Sequence, residues 1–136
     1  MTFLFGDEHV RHYRETDGEE GHVWREDSTI LLLTTKGRKT GLDRTVPLIY
    51  DRDGANPVIV ASKGGAPEHP GWFKNLVKTP DADVQILGDR FPVRAREVED
   101  EERERLWAQM NRIWPHYEEY QAKTDRRIPV VVLERA

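Results

Sequence analysis

Two glycine-rich basic segments are the residues best placed to do chemistry: Lys36-Gly37-Arg38-Lys39-Thr40-Gly41, with Arg44 just beyond, and Ser62-Lys63-Gly64-Gly65. Each follows an apolar β-type run, so both are expected at strand ends. Glycines let the chain turn at positive φ and approach a ligand closely. Amides can then converge on an anion while Arg38, Lys39, Arg44 and Lys63 supply charge. A phosphate ester suits such a place. The second segment also runs toward a helix start, whose free N–H groups favour the same ligand. The competing reading makes the first segment a solvated hairpin loop and the second a plain strand-to-helix connection. Neither is a P-loop, because G-x-x-x-x-G-K-[ST] is absent and the first segment joins strand to strand.

The elements that must carry these loops follow from periodicity. Residues 7–16 are polar with helical potential and are closed off by Gly18 and Gly21. Ile30 to Thr35 is a continuous apolar and β-branched run, which fits a strand buried on both faces. Arg44 to Tyr50 and Pro57 to Ser62 read as strands on either side of the turn 51–56. Between His69 and Val77 the period changes: Trp72, Phe73, Leu76 and Val77 fall on one helical face, with Pro70 at its start and Pro80 beyond its end. Asp83 to Leu87 and Arg90 to Val98 alternate with period two around a Gly88-Asp89 hairpin turn. Asp100 is expected to N-cap a helix striped by Leu106, Trp107, Met110, Ile113 and Trp114, which Pro115 stops. A short helical turn over 117–123 precedes a last strand, Ile128 to Leu133. About six mostly antiparallel strands with about three helices predict an α+β fold on a small barrel.

Composition bounds the rest. The chain has 136 residues, so one domain spanning 1–136 is expected, with 1–27 as an N-terminal helical segment. No cysteine is present, which excludes disulfides and thiolate ligands and suits a reducing cytoplasmic location. Lys and Arg total 21 against 25 Asp and Glu, which argues against nucleic acid as a partner. The cluster Phe3-Leu4-Phe5 is too short for a signal peptide; a docked terminus is expected, with peripheral contact at the inner face of the plasma membrane as the alternative.

Other chemistry-bearing residues are sparse. Trp72 and Phe73 could flank a ring system or pack in the core. Trp114, Tyr117 and Tyr120 share one side of a helical segment; phenols there could stabilise an oxyanion, or simply pack. The five histidines show no metal spacing, no metal is expected, and all five are expected at the surface. No G-x-S-x-G elbow, catalytic cysteine or convincing carboxylate pair occurs. Two anion loops beside aromatics, without a nucleophile, favour chemistry borrowed from a phosphorylated cofactor.

At this point Thr34-Thr35-Lys36-Gly37-Arg38-Lys39-Thr40-Gly41, Arg44, Pro47, Val60-Ala61-Ser62-Lys63-Gly64-Gly65, Pro70, Trp72, Asn75, Leu76, Tyr117, Tyr120, Thr124, Arg126, Ile128 and Pro129 together resemble the deazaflavin-dependent nitroreductase family of actinobacteria. The resemblance implies a split β-barrel of the FMN-binding split-barrel type and coenzyme F-420, an 8-hydroxy-5-deazaflavin with a phospholactyl and oligoglutamate tail. It implies that Arg38, Lys39, Arg44 and Lys63 hold the phosphate and tail. Ser62, Gly64 and Gly65 would line the ring through their backbone, and Pro47, Ala61, Trp72 and Asn75 would complete its wall. The substrate pocket would be Ile49, Trp114, Tyr117 and Tyr120. The nitroimidazole-reducing pattern has tyrosines where Ile49 and Trp114 stand, which puts quinones ahead of nitro compounds as acceptors. The implied reaction is hydride transfer from C5 of the coenzyme to a small-molecule quinone, enone or nitro acceptor, with Ser62, Tyr117 or Tyr120 assisting protonation. Alternatives are a non-catalytic coenzyme carrier and an FMN- or haem-binding split barrel. A monomer and a homodimer are both compatible with the sequence.

Overall fold

The fold is a closed barrel of six strands in the order β1-β2-β3-β6-β5-β4, seen in a computed structural model that describes residues 3–136. The first two residues of the expected 1–27 segment lie outside that range. β1 is Thr29–Lys36, β2 Asp43–Asp53, β3 Asn56–Val60, β4 Asp81–Ile86, β5 Asp89–Glu97 and β6 Val130–Arg135. Every neighbouring pair is antiparallel. Among the described residues four α-helices accompany them: α1 Gly6–Thr16, α2 Gly71–Lys78, α3 Asp100–Ile113 and α4 His116–Ala122. The helix count is thus one above expectation, because the segment after Pro115 forms a full helix.

β1 shows why its apolar run is unbroken. Leu31 and Leu33 point into the barrel, while Ile30 and Leu32 point outward beneath Val10 and Tyr13 of α1. Helix α2 closes one end of the barrel with Trp72, Phe73 and Leu76. Val77 does not join them; it is 71% exposed, since the end plug needs only one narrow stripe. Helix α3 lays Leu106 and Met110 on the outer face of β3 and β6, against Val58, Val60, Val130 and Val132. Arg103 fastens it there, donating from Nη1 to the Ile128 carbonyl at 2.6 Å.

The barrel opens where strand pairing lapses. β2 pairs with β1 along 43–50 but meets β3 only over Asp51–Asp53. The second edge of β2 is therefore free beside Pro47, and a residue without an N–H interrupts no ladder on that side. Pro47 and Ile49 face out through this opening, while Val46, Leu48 and Tyr50 pack on the barrel interior.

Several local expectations are corrected. Asp100 does not cap α3: it is the first helical residue, Glu99 takes the cap position, and no side-chain cap bond forms. The β4–β5 turn is Leu87-Gly88, with Leu87 rather than a glycine at φ 55°. Tyr13 accounts for this placement. Its hydroxyl accepts from the Leu87 N–H at 2.8 Å and donates to the Ile30 carbonyl at 2.9 Å, so it fixes the turn from outside the hairpin. The histidines are not all at the surface either, since His9 is buried at 2% exposure.

Burial pushes the Tyr13 phenol up to about 12, so it stays a hydroxyl that can donate and accept together. Tyr13→Phe is expected to leave the Leu87 amide without a partner and to cost about 1–3 kcal/mol. Urea melts of the two proteins, read as a shift in midpoint at constant slope, measure it.

Candidate functional site

Both glycine loops sit at the open side of the barrel. The first joins β1 to β2 and is a self-bonded turn: the Gly37 N–H donates to the Leu42 carbonyl at 2.8 Å and the Gly41 N–H to the Gly37 carbonyl at 2.7 Å. Gly41 takes φ 74°, as the turn demands. Helix α2 holds this loop through Asn75. Its Oδ1 accepts from both the backbone N–H and Nη1 of Arg38, at 3.1 and 3.0 Å, while Nδ2 donates to Thr35 Oγ1 at 3.0 Å. Lys78 adds a 2.8 Å bond to the Arg38 carbonyl. A groove of about 400 Å³ results, lined by Arg38, Lys39, Arg44, Trp72 and Asn75 among others.

The second loop follows β3. Ser62 is right-handed, and Lys63, Gly64 and Gly65 then turn at φ 46°, 63° and 84°. The amides of Gly65 and Ala66 fold back onto Ser62 and Lys63, whereas those of Lys63 and Gly64 make no hydrogen bond among the described residues. Arg126 holds the whole loop. It donates from Nε to the Ala66 carbonyl at 2.8 Å, from Nη1 to the Ala61 carbonyl at 3.1 Å and from Nη2 to the Ser62 carbonyl at 2.6 Å. Nη1 also lies 3.1 Å from His69 Nδ1. The guanidinium can only donate, so Nδ1 is the bare nitrogen of a neutral ring. Burial, then Arg126 and Lys74, keep His69 below its ordinary pKa, which is consistent with that tautomer.

A cleft of about 460 Å³ lies over this loop. Pro47, Ser62, Lys63, Gly64 and Trp72 line it together with Ile49, Trp114, Tyr117 and Tyr120. Trp72 borders both the cleft and the charged groove, so the two cavities meet at its ring. In the groove and at the loop, Arg38, Lys39, Arg44 and Lys63 make no ion pair among the described residues, although fourteen pairs form elsewhere, including Lys36 with Asp43. Cations left without carboxylates in an acidic chain are available to an anion.

Two residues expected in the cofactor wall stand behind it. Ala61 is fully buried and contributes its carbonyl to Arg126. Gly65 is buried against α4, where a Cβ would lie 2.6 Å from the Tyr120 carbonyl oxygen. Its service is close approach: it lets α4 advance far enough to bring Tyr117 and Tyr120 into the cleft. Asn75 reaches the groove, yet both ends of its amide are engaged in holding Arg38 and Thr35.

The tyrosines differ. Tyr117 is buried, and burial drives its pKa far above the phenol range, so it keeps its proton. Its hydroxyl has no hydrogen-bond partner among the described residues and, being on the cleft wall, is free to donate there. Tyr120 accepts a long 3.4 Å bond from Trp114 Nε1. The Ser62 hydroxyl also lacks a partner among the described residues, only the Ser62 carbonyl being used.

The N-terminal segment is docked, as expected from Phe3-Leu4-Phe5, and it also forms part of the cleft wall. Leu4, Phe5, His9 and Trp24 line the cleft along with the loop residues. Trp24 packs on Trp114 with centroids 5.8 Å apart and takes Phe5 edge-on at 5.4 Å. His116 Nε2 lies 2.7 Å from Glu26 and Nδ1 2.7 Å from Glu119, which latches this wall to α4. Both carboxylates hold the His116 ring above its ordinary pKa. The spacing of His9, Val10 and Tyr13 on one helical face was the available signal.

Comparison with known proteins places this geometry. The family model described as F420H(2)-dependent quinone reductase matches residues 6–135. An F420H(2)-dependent quinone reductase of Mycobacterium tuberculosis is 45% identical over 126 residues, 90% of this chain and 85% of that relative. Among solved structures, an F420-H2 dependent reductase, FDR-A, superposes with a TM-score of 0.72 at 45% identity, covering 77% of this chain and 93% of that one. A second, described as a domain-swapped dimer, gives 0.75 at 41% identity over 92% and 96% of the two chains. The haem storage protein HutZ of Vibrio cholerae, at 14% identity and a TM-score of 0.61, shares the fold alone. With its split barrel, charged groove and aromatic cleft, this chain belongs to the F420H(2)-dependent quinone reductase family.

Proposed function

We propose that the protein is a coenzyme F420-dependent reductase that passes hydride to a quinone, acting as one domain over residues 1–136. The observation that carries this reading is the meeting, at Trp72, of an apolar cleft sized for a tricyclic ring and a groove of unpaired cations suited to an anionic tail. Arg38, Lys39, Arg44 and Lys63 hold the tail. The Lys63 and Gly64 amides, Pro47, Trp72 and Ser62 would hold the ring. When bound in reduced form, the coenzyme supplies the hydride from its C5. Ile49, Trp114, Tyr117 and Tyr120 present an aromatic and aliphatic wall to a flat quinone, and Tyr117, which cannot ionise there, donates a hydrogen bond to a quinone oxygen. Ala61, Gly65 and Asn75 act behind this surface by positioning it.

The lack of cysteine supports a place in the cytoplasm. Among the described residues no helix is long and apolar enough to cross a membrane. We read contact with the inner face of the plasma membrane as the way a lipid-soluble quinone is reached, through the exposed Phe3 and Phe5. The domain-swapped relative supports looking for a homodimer.

Titration with F420, followed by tryptophan fluorescence, is expected to saturate with a dissociation constant near or below about 1 μM, equivalent to about −8 kcal/mol. Absence of saturable binding at low salt would sink the reading. Because Lys39 and Arg44 are exposed, each should contribute only about 0.5–1 kcal/mol. The double variant Lys39→Ala, Arg44→Ala is then expected to bind about fivefold to thirtyfold more weakly at low salt, a deficit that shrinks in 0.5 M salt on the order expected from screening.

Arg126→Lys cannot reach three carbonyls at once. It should cost about 1–3 kcal/mol of stability and weaken coenzyme binding about tenfold, by calorimetry and titration. His69, with a pKa lowered in the fold, contributes stability that is complete above its unfolded value near 6.5 and is lost as pH falls through the folded value. The melting temperature is therefore expected to drop as pH is lowered below about 6.5, and His69→Gln should blunt that drop.

A further inference from the structure

We propose that His9 carries the proton for this reaction: its Nδ1 faces the bound acceptor and protonates a quinone oxygen as hydride arrives. The assignment rests on the cleft being the quinone site, as argued above. His9 lies on α1, is only 2% exposed, and its ring forms part of the cleft wall beside Trp24 and Ile30. Nε2 is 2.8 Å from the Gly21 carbonyl, a group that only accepts. Nε2 therefore carries a hydrogen, and in the neutral ring Nδ1 is the bare nitrogen.

Nδ1 has no protein partner among the described residues, yet no buried side-chain nitrogen or oxygen there is left unpartnered. It is therefore open to solvent-accessible space, and His9 is a lining residue of the cleft. Gly21 is what allows the arrangement. At φ 108° it brings its carbonyl onto the ring, and a Cβ there would sit 3.0 Å from both Cδ2 and Nε2 of His9. A backbone carbonyl holding one nitrogen while the other faces the substrate is the arrangement that orients a general acid or base.

Two other polar groups of the cleft are less suited to this role. Ser62 is an alcohol, and Tyr117 is held far above the range in which it could release a proton. Glu8, His12 and Tyr13 share α1 with His9, and Glu20 adjoins Gly21. His12 contacts Glu8 at 3.7 Å and Glu20 at 3.1 Å, so those charges answer one another. Lys63, Tyr117 and Tyr120 line the same cleft as His9.

The step balances. Hydride brings two electrons and one hydrogen to the quinone, giving in net the hydroquinone monoanion. The Nδ1–H bond of the imidazolium then breaks, its proton goes to the remaining oxyanion, and the neutral ring takes a proton from solvent before the next turnover.

His9→Gln tests this, because its amide N–H can still meet the Gly21 carbonyl but cannot titrate. With reduced F420 and menadione, H9Q is expected to bind coenzyme as wild type does and to lose about 10²–10⁴-fold in kcat. The limb of the wild-type profile on which kcat falls as pH rises should vanish. In wild-type protein loaded with oxidised F420, menadione should shift the ¹⁵N resonance of His9 Nδ1; this reading needs no variant and stands if H9Q folds poorly. Wild-type kcat with the same limb in H9Q, or an unmoved Nδ1 resonance, would overturn the assignment. Failure of the wild type itself to bind F420 or to oxidise it with menadione would instead overturn the functional reading, and this assignment with it.

Discussion

The site depends most on the hydrogen bonds of one guanidinium. Arg126 lies outside the regular elements, between α4 and β6, and gathers the carbonyls of Ala61, Ser62 and Ala66 onto one planar cation. With these three carbonyls engaged, the Lys63 and Gly64 amides are left without hydrogen-bond partners among the described residues. The left-handed run 63–65 would be costly if the loop were free to relax. Held from behind by charge-assisted bonds, it becomes a rigid donor surface. His69 belongs to the same arrangement because only its neutral form can accept from Arg126.

Around that loop the structure separates two kinds of recognition. Most of the charge is kept in the groove, on side chains without carboxylate partners. The cleft is nearly all aromatic and aliphatic wall, its few polar groups being hydroxyls, amides, one imidazole and the Lys63 ammonium. This division suits a ligand whose ends differ, one flat and one anionic. Trp72 serves both because α2 plugs the barrel at that corner, with Phe73 and Leu76 buried beneath it. The opening exists because β2 and β3 pair only at their far ends. Core packing, barrel closure and ligand access are thus set by the same few residues.

The barrel was legible because its strands are apolar in simple patterns. The unbroken β1 run reports two covered faces, and alternation in β4 and β5 reports one. The glycine loops were legible by composition as basic turns at strand ends, and their order along the chain carried the family resemblance. What escaped depended on distant partners. Leu87 adopts a turn conformation that a glycine would take more easily, because Tyr13 arrives from 74 residues away to hold its amide. His9 looked like one more polar residue on a polar helix until the Gly21 carbonyl and Trp24 covered it. Ala61 and Gly65 carried the right motif but face away from the cavity, since the loop is pinned through the first and packed on α4 through the second. Motif position gave the loop; only packing gave the side.

The most direct measurement is a crystal structure of the protein with oxidised F420 bound. The ring should lie in the cleft against Trp72 and the Ser62–Gly64 backbone, with its tail running past Trp72 into the groove of Arg38, Lys39 and Arg44. His9 should stand across the remaining space from the ring. A ring seated outside the cleft, or a tail directed away from those cations, would contradict the account.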